Sequence, residues 1–89
     1  MYTINPKIFQ TPIADNNILL LEPGAGLYFE LNETSVLIYQ AIADGLAIED
    51  ILDKLTEEYQ INQLDAQADM AALIEQLLDN NIISQAKEA

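Results

Sequence analysis

The sequence predicts a small α+β domain in which a three-stranded antiparallel sheet is followed by three helices. Short apolar segments separated by turn residues fill the first third of the chain, and longer segments with apolar residues at helical spacing fill the rest. The 89 residues, 51% hydrophobic and 20% charged, suit one globular domain. No linker or repeat divides them, so we expect a single domain over residues 1–89 with its core over 7–84.

Three strands are predicted, over residues 7–13, 18–22 and 27–31. Pro12 restricts the first strand to an edge or a bulge, because proline cannot donate to a strand ladder. Pro23 and Gly24 suit a type II turn before the third strand, since glycine takes the positive φ of that turn at little cost. Alternation along the third strand is expected to place two sets of side chains on opposite faces: Leu27, Phe29 and Leu31 against Tyr28 and Glu30.

Three helices are predicted, over residues 33–44, 48–58 and 63–79. Asn32 and Asn62 are good N-caps for the first and third helices, whereas Ala47 has no side-chain oxygen with which to cap the second. Gly45 ends the first helix, and Asn81 can adopt the left-handed conformation that ends the third. The first helix is apolar nearly all round, so we expect it to be the most buried.

The charge balance excludes several classes of function. Fifteen acidic and three basic residues give a net charge of −12, and the chain has no His and no Cys. It therefore has no disulfide, thiolate, imidazole base or zinc site of the usual kind. The negative charge opposes binding to nucleic acid. No segment predicts a signal peptide or a membrane span, so we expect a cytoplasmic protein that binds neither nucleic acid nor membrane.

The polar clusters do not predict catalysis. Glu49 and Asp53 share a helix face, but without a ligand-rich loop they are typical of solvated surface rather than of a metal site. Thr34 and Ser35 lie in the first turn of a helix with no base nearby, which favours capping over nucleophilic chemistry. We therefore expect a protein that is not an enzyme and that uses no metal or cofactor.

Two features exceed what a minimal fold needs. The strand over 27–31 is expected at a sheet edge, yet it lacks the Lys or Pro that usually protects an edge. The third helix has a wide apolar stripe, with Leu73 at one rim beside Asp69 and Gln76. Placed side by side, these features would form a groove for strand addition by an extended peptide. Coverage of the edge by the chain itself and edge-to-edge homodimerisation remain open, so a monomer or a weak homodimer is expected.

The run from Leu31 to Gly45 resembles the PqqD-like family, also called RiPP recognition elements. The likeness lies in a strand followed by Leu-Asn, a hydroxyl residue, an Ile-Tyr pair and a closing Asp-Gly. Residues 19–30 look like the second and third strands of the family with their glycine turn. Two later segments, 51–59 and 69–83, look like its second and third helices. The resemblance covers about residues 7–84 and depends on the ordered set of elements rather than on one motif.

This resemblance implies a stand-alone domain of winged-helix-like fold that binds the leader of a ribosomally made precursor peptide and presents it to a modifying enzyme, which we expect to be a radical-SAM maturase. It implies that the leader adds a strand to the third strand and packs against the third helix. The alternatives are an adaptor outside peptide maturation that uses the same edge, or a partner of a leader peptidase or cyclase in lasso-peptide synthesis. The peptide-binding residues implied are Leu27, Tyr28, Phe29, Glu30 and Leu31 for the ladder, and Asp69, Met70, Leu73, Gln76 and Leu77 for the helix wall.

Overall fold

The fold is α+β, with an antiparallel three-stranded sheet and three helices, as the sequence predicts. The computed structural model describes residues 2–85. A 3-10 turn at Ala14–Asn16 precedes the second strand of the main sheet. The strands and helices, in chain order, are β1 (Tyr2–Ile4), β2 (Phe9–Pro12), β3 (Ile18–Glu22), β4 (Leu27–Leu31), α1 (Glu33–Ala43), α2 (Ile48–Tyr59), α3 (Gln63–Asp79) and β5 (Ile83–Gln85).

The main sheet has the order β2-β3-β4, with both neighbouring pairs antiparallel. Leu20 at the centre of β3 lies opposite Gln10 and Phe29 and is fully buried. Leu21, the next residue, points to the other face. Because the register fixes which side chains share a face, one face of the sheet meets the core and the other faces away from it.

The turn between β3 and β4 differs from the predicted type II turn. Glu22 pairs with Leu27, so the loop has four residues, and its positive φ of 67° falls on Gly26 rather than on Gly24. The Gly26 N–H donates to the Pro23 carbonyl at 3.2 Å, and the Glu22 carboxylate accepts a hydrogen bond from the Ala25 N–H. The type II prediction was wrong because the strand register, which sets the loop length, places the left-handed residue last.

A second, two-stranded sheet was not predicted. β1 and β5 pair antiparallel, with Thr3 opposite Ser84, and the Asn5 N–H donates to the Ile82 carbonyl at 2.9 Å. This sheet packs against the helices, β1 on α1 and β5 on α3, and Ile83 at the start of β5 is 2% exposed. The first predicted strand is correspondingly shorter, beginning at Phe9 rather than at residue 7.

The predicted helix ends agree closely with the structure. The Asn32 and Asn62 side chains each accept a hydrogen bond at 2.9 Å from the backbone N–H three residues on, whereas Ala47 caps nothing. Gly45 and Asn81 both have positive φ, as expected for residues that end helices. The first helix ends one residue earlier than predicted and the second one residue later.

The core lies between the three helices and the inner face of the main sheet. Its fully buried side chains come from every layer, and they are Leu20, Leu31, Ile38, Ile51, Leu55, Leu77 and Ile82. Each such side chain contributes about 1.5–3 kcal/mol through burial. Among the described residues, no helix has both the length and the apolar content that crossing a membrane requires.

The buried end of β5 can be tested by substitution. We expect Ile83→Ala to lower the free energy of unfolding by about 2–5 kcal/mol, because it leaves a cavity in the core. Ser84→Ala, one residue on, removes an exposed hydroxyl that shares a hydrogen bond with the Thr3 hydroxyl at 3.2 Å, and it is expected to change stability by at most about 1 kcal/mol. Urea denaturation followed by circular dichroism measures both. Equal effects of the two substitutions would contradict the packing of β5 on the core.

Candidate functional site

Strand β4 has one free edge. It is the last strand of the order β2-β3-β4 and pairs only with β3, and no strand between residues 2 and 85 pairs with its other side. In an antiparallel sheet, every second residue of such a strand directs its N–H and C=O away from the ladder. The predicted edge position of β4 is therefore confirmed, and its outward backbone groups are available to a further strand.

The two faces of β4 differ in exposure as the alternation predicts. Leu31 is fully buried, and Leu27 and Phe29 are half-buried on the inner face. Tyr28 is 74% exposed on the outer face, together with the exposed Glu30. The inner side chains attach the strand to the core, which leaves its edge and its outer face for contacts with other molecules.

A single residue joins β4 to α1. Asn32 follows Leu31 directly, and its side-chain oxygen accepts hydrogen bonds from the Ser35 N–H at 2.9 Å and from the Thr34 hydroxyl at 3.0 Å. The first turn of α1 therefore begins at the end of the open strand. This junction fixes the direction in which β4 leaves the helical part of the domain.

A cavity of about 300 Å³ begins at Asn32 and extends to α3. Its floor is apolar, because Ile38 of α1, Leu55 of α2 and Leu73 of α3 line it. Asp69 and Gln76 of α3 lie at its rim, and both are exposed. The cavity thus combines buried apolar side chains with exposed polar ones, and more of its lining surface is polar than apolar. Both kinds of contact are open to part of another molecule.

The structure brings together three of the five residues expected on the helix wall. Asp69, Leu73 and Gln76 are spaced i, i+4 and i+7, so they share one face of α3 and line the same cavity. Met70 and Leu77 lie on a neighbouring face and are 4% and 0% exposed. Met70 lines a different cavity, and Leu77 belongs to the core.

The apolar surface that α3 exposes to the cavity is smaller than the width of its apolar stripe predicts. Leu73 is only 8% exposed, because residues of α1 and α2 cover much of it. The residues of β4 lie beside the cavity without lining it, and Asn32 connects the two. Sequence reasoning missed the other lining residues, which are Asn32, Thr34, Ser35, Ile38, Leu55, Ile61, Ala66 and Ala72. The position of Asn32 directly after an edge strand is the signal that could have identified the first of them.

A second cavity, of about 310 Å³, lies between α1 and α2 and contains Lys54 and Tyr59. Burial raises the pKa of Tyr59 above its ordinary value, and the Glu33 and Glu58 carboxylates raise it further. The phenol is therefore protonated at neutral pH and does not supply a base. Burial also raises the pKa of Tyr39. Asn32, the residue that follows β4, and the residues of α3 line the first cavity and not this one, so the cavity beside Asn32 is the better candidate for the site.

The part of the chain from residue 2 to residue 85 contains no group of three or more acidic, His or Cys side chains placed to hold a metal ion. It also contains no buried side-chain nitrogen or oxygen without a hydrogen-bond partner. The features that the candidate site does offer are an open strand edge, an apolar floor and a polar rim. These features suit the binding of an extended peptide segment.

Comparison with protein families identifies the chain. Residues 17–83 match the family described as coenzyme PQQ synthesis protein D (PqqD). The match spans more than half of the sequence, and the chain belongs to this family. It includes both the open strand and the third helix, so it covers both parts of the candidate site. No curated protein matches the sequence.

Two solved structures are similar to this chain. One is a lasso peptide synthetase B1 complexed with the leader peptide; it is 32% identical, with a TM-score of 0.84 over 94% of this chain and 98% of that one. The other is TbiB1 in complex with the TbiA(beta) leader peptide, at 21% identity, with a TM-score of 0.82 over 97% of this chain and 99% of the other. The second supports the fold alone.

The division of α3 into a wall facing the cavity and a buried face can be tested by stability. We expect Met70→Ala to lower the free energy of unfolding by about 2–5 kcal/mol, because Met70 packs in the core. Gln76→Ala removes an exposed side chain from the same helix and is expected to change it by less than about 0.5 kcal/mol. Thermal unfolding by calorimetry compares the two. A Gln76 variant as destabilised as the Met70 variant would refute this division.

Proposed function

We propose that this chain is a recognition element that binds the leader of a ribosomally made precursor peptide and presents it to the enzyme that modifies it. The observation that carries the proposal is the edge of β4, which no strand between residues 2 and 85 pairs, beside a cavity on α3 with an apolar floor and a polar rim. The similar lasso peptide synthetase B1, 32% identical over nearly its whole length, is a protein complexed with a leader peptide. Family membership and site geometry therefore support the same function.

In this proposal the leader binds as an added strand. The backbone of residues 27–31 supplies the ladder, and its hydrogen bonds contribute about 1 kcal/mol each after exchange with water. Ordering each leader residue costs roughly 1–2 kcal/mol, so the ladder alone gives little net affinity. Apolar leader side chains, at about 1.5–3 kcal/mol each when buried, must supply the rest. The cavity on α3 is where they would be buried.

The site residues then divide by role. Asp69, Leu73 and Gln76 contact the leader directly, because all three line the cavity. Met70 and Leu77 support the helix from its buried side. Recognition by side chains would therefore depend mostly on the Leu73 face of α3, and recognition by backbone on β4. The protein acts as an adaptor, and the chemistry belongs to its partner.

The partner enzyme in this proposal is a leader peptidase or cyclase of lasso-peptide synthesis. The 32% identical structure, a lasso peptide synthetase component, favours this class over a radical-SAM maturase. A cytoplasmic location is part of the proposal, because the precursor is made by the ribosome. The genes that flank this one discriminate the alternatives. A precursor gene beside a peptidase gene and a cyclase gene would support the lasso pathway. A precursor gene beside a radical-SAM gene would support a radical-SAM maturase as the partner. The absence of both arrangements would support an adaptor of another kind.

Two adjacent alanines on α3 provide a matched test of the cavity. Ala72 lines the cavity, whereas Ala71 lines a different one, about 100° away around the helix. Both alanines are exposed. We expect Ala72→Arg to weaken binding of the leader encoded beside this gene at least tenfold, because the new side chain occupies the cavity. Ala71→Arg makes the same change of charge and size, and its leader affinity is expected to stay within threefold of the wild-type value. Isothermal titration calorimetry measures both, and equal losses would contradict the assignment of the cavity.

The strand-addition step has its own test. We expect the leader to slow hydrogen exchange of β4 amides at least tenfold, because outward N–H groups of residues 27–31 gain acceptors in the added strand. Amides of α2, such as those near Asp53, are the control and are expected to change little. Hydrogen–deuterium exchange with mass spectrometry gives the result. Tight leader binding without slower exchange in β4 would show that the peptide does not extend the sheet.

A further inference from the structure

The outer face of the main sheet is more apolar than its position requires. Phe9, Leu21 and Tyr28 lie directly opposite one another and form a row across all three strands. Phe9 is 63% and Tyr28 is 74% exposed. Leu19 lies in the next row of the same face and is half-buried. An antiparallel sheet with one solvated face normally places polar residues there, so this row serves something other than the core.

Charge argues against a second copy of the chain as the occupant of this face. Each copy carries a net charge of −12, so like-charge repulsion opposes association of two copies. The charged side chain that the sheet presents on this face is Glu30, opposite Leu19. Charge complementarity therefore favours a different protein, with an apolar surface that is neutral or basic at its rim.

The outer face is continuous with the proposed leader site. Because side chains alternate along a strand, a leader strand added to β4 sends every second side chain toward the α3 cavity and the others to the outer face. Those outward side chains would lie beside Tyr28 and Glu30, the outer-face residues of β4. The loaded protein thus has a larger outer face than the empty one, and part of that face consists of leader.

We propose that the outer face, defined by Phe9, Leu19, Leu21 and Tyr28, docks the enzyme that modifies the precursor, and that the outward side chains of the leader complete this surface. This inference rests on the proposed function, since it requires strand addition at β4. The enzyme contacts the sheet and the leader together, so it binds the loaded protein more tightly than the empty one. The precursor is thereby selected at the docking step as well as at the leader site.

A charge introduced on β2 tests the proposal. Phe9 lies two strands away from the edge of β4 and takes no part in the leader site. We expect Phe9→Glu to leave leader affinity within threefold and to weaken binding of the loaded protein to the leader peptidase encoded in the same gene cluster at least tenfold. Leu64→Glu is the matched control, because Leu64 is 78% exposed and lies on α3 rather than on the sheet. The affinities of this control variant for the leader and for the peptidase are both expected to stay within twofold of the wild-type values.

Three results would overturn the proposal while leaving the leader site intact. They are peptidase binding that survives Phe9→Glu, peptidase binding that is equally tight with and without leader, and a wild-type dimer in light scattering that Phe9→Glu dissociates. A loss of leader affinity in Phe9→Glu, with the protein still folded by circular dichroism, would place the outer face in the leader site and also reject the proposal. Failure of the wild-type protein to bind the leader at all would instead reject the proposed function.

Discussion

The junction at Asn32 is the constraint on which the geometry of the site depends. Leu31 on one side of it is fully buried, and Asn32 itself caps α1. Rotating β4 would expose Leu31 and break the cap, at a combined cost of several kcal/mol, with about 0.5–2 kcal/mol from the cap alone. The open edge therefore keeps a fixed position relative to the cavity on α3. A rigid edge lowers the entropic cost of binding, because only the incoming peptide has to be ordered.

Local signals explain why the helices could be predicted almost to the residue. Asn32, Asn62 and Gly45 act through their own side chains or backbone, so their effect is visible in a short window of sequence. The pairing of β1 with β5 has no such signal, because each strand has three residues and its partner is about 80 positions away. The prediction of a type II turn was wrong for a related reason, since the register between β3 and β4 decides which glycine takes the positive φ.

The candidate site shows the same division between local and distant information. The edge strand and the Asp69, Leu73 and Gln76 face of α3 follow from alternation and helical spacing. The burial of Met70 and Leu77 does not, because both flanks of the stripe on α3 are apolar and only the positions of α1 and α2 decide which flank they cover. Exposed aromatic residues such as Phe9 are similarly ambiguous in sequence, since a strand with an apolar residue at that position also suits a buried face.

The short sheet formed by β1 and β5 has a consequence for how such a domain can be combined with others. Its antiparallel pairing places Tyr2 beside Gln85, at the spacing of neighbouring strands, about 5 Å. A domain whose entry and exit points are adjacent can be inserted into a loop of a larger protein, or circularly permuted through a short linker, without distorting its interior. A peptide-binding domain of this shape can thus be inserted into an unrelated enzyme as one continuous segment of its gene.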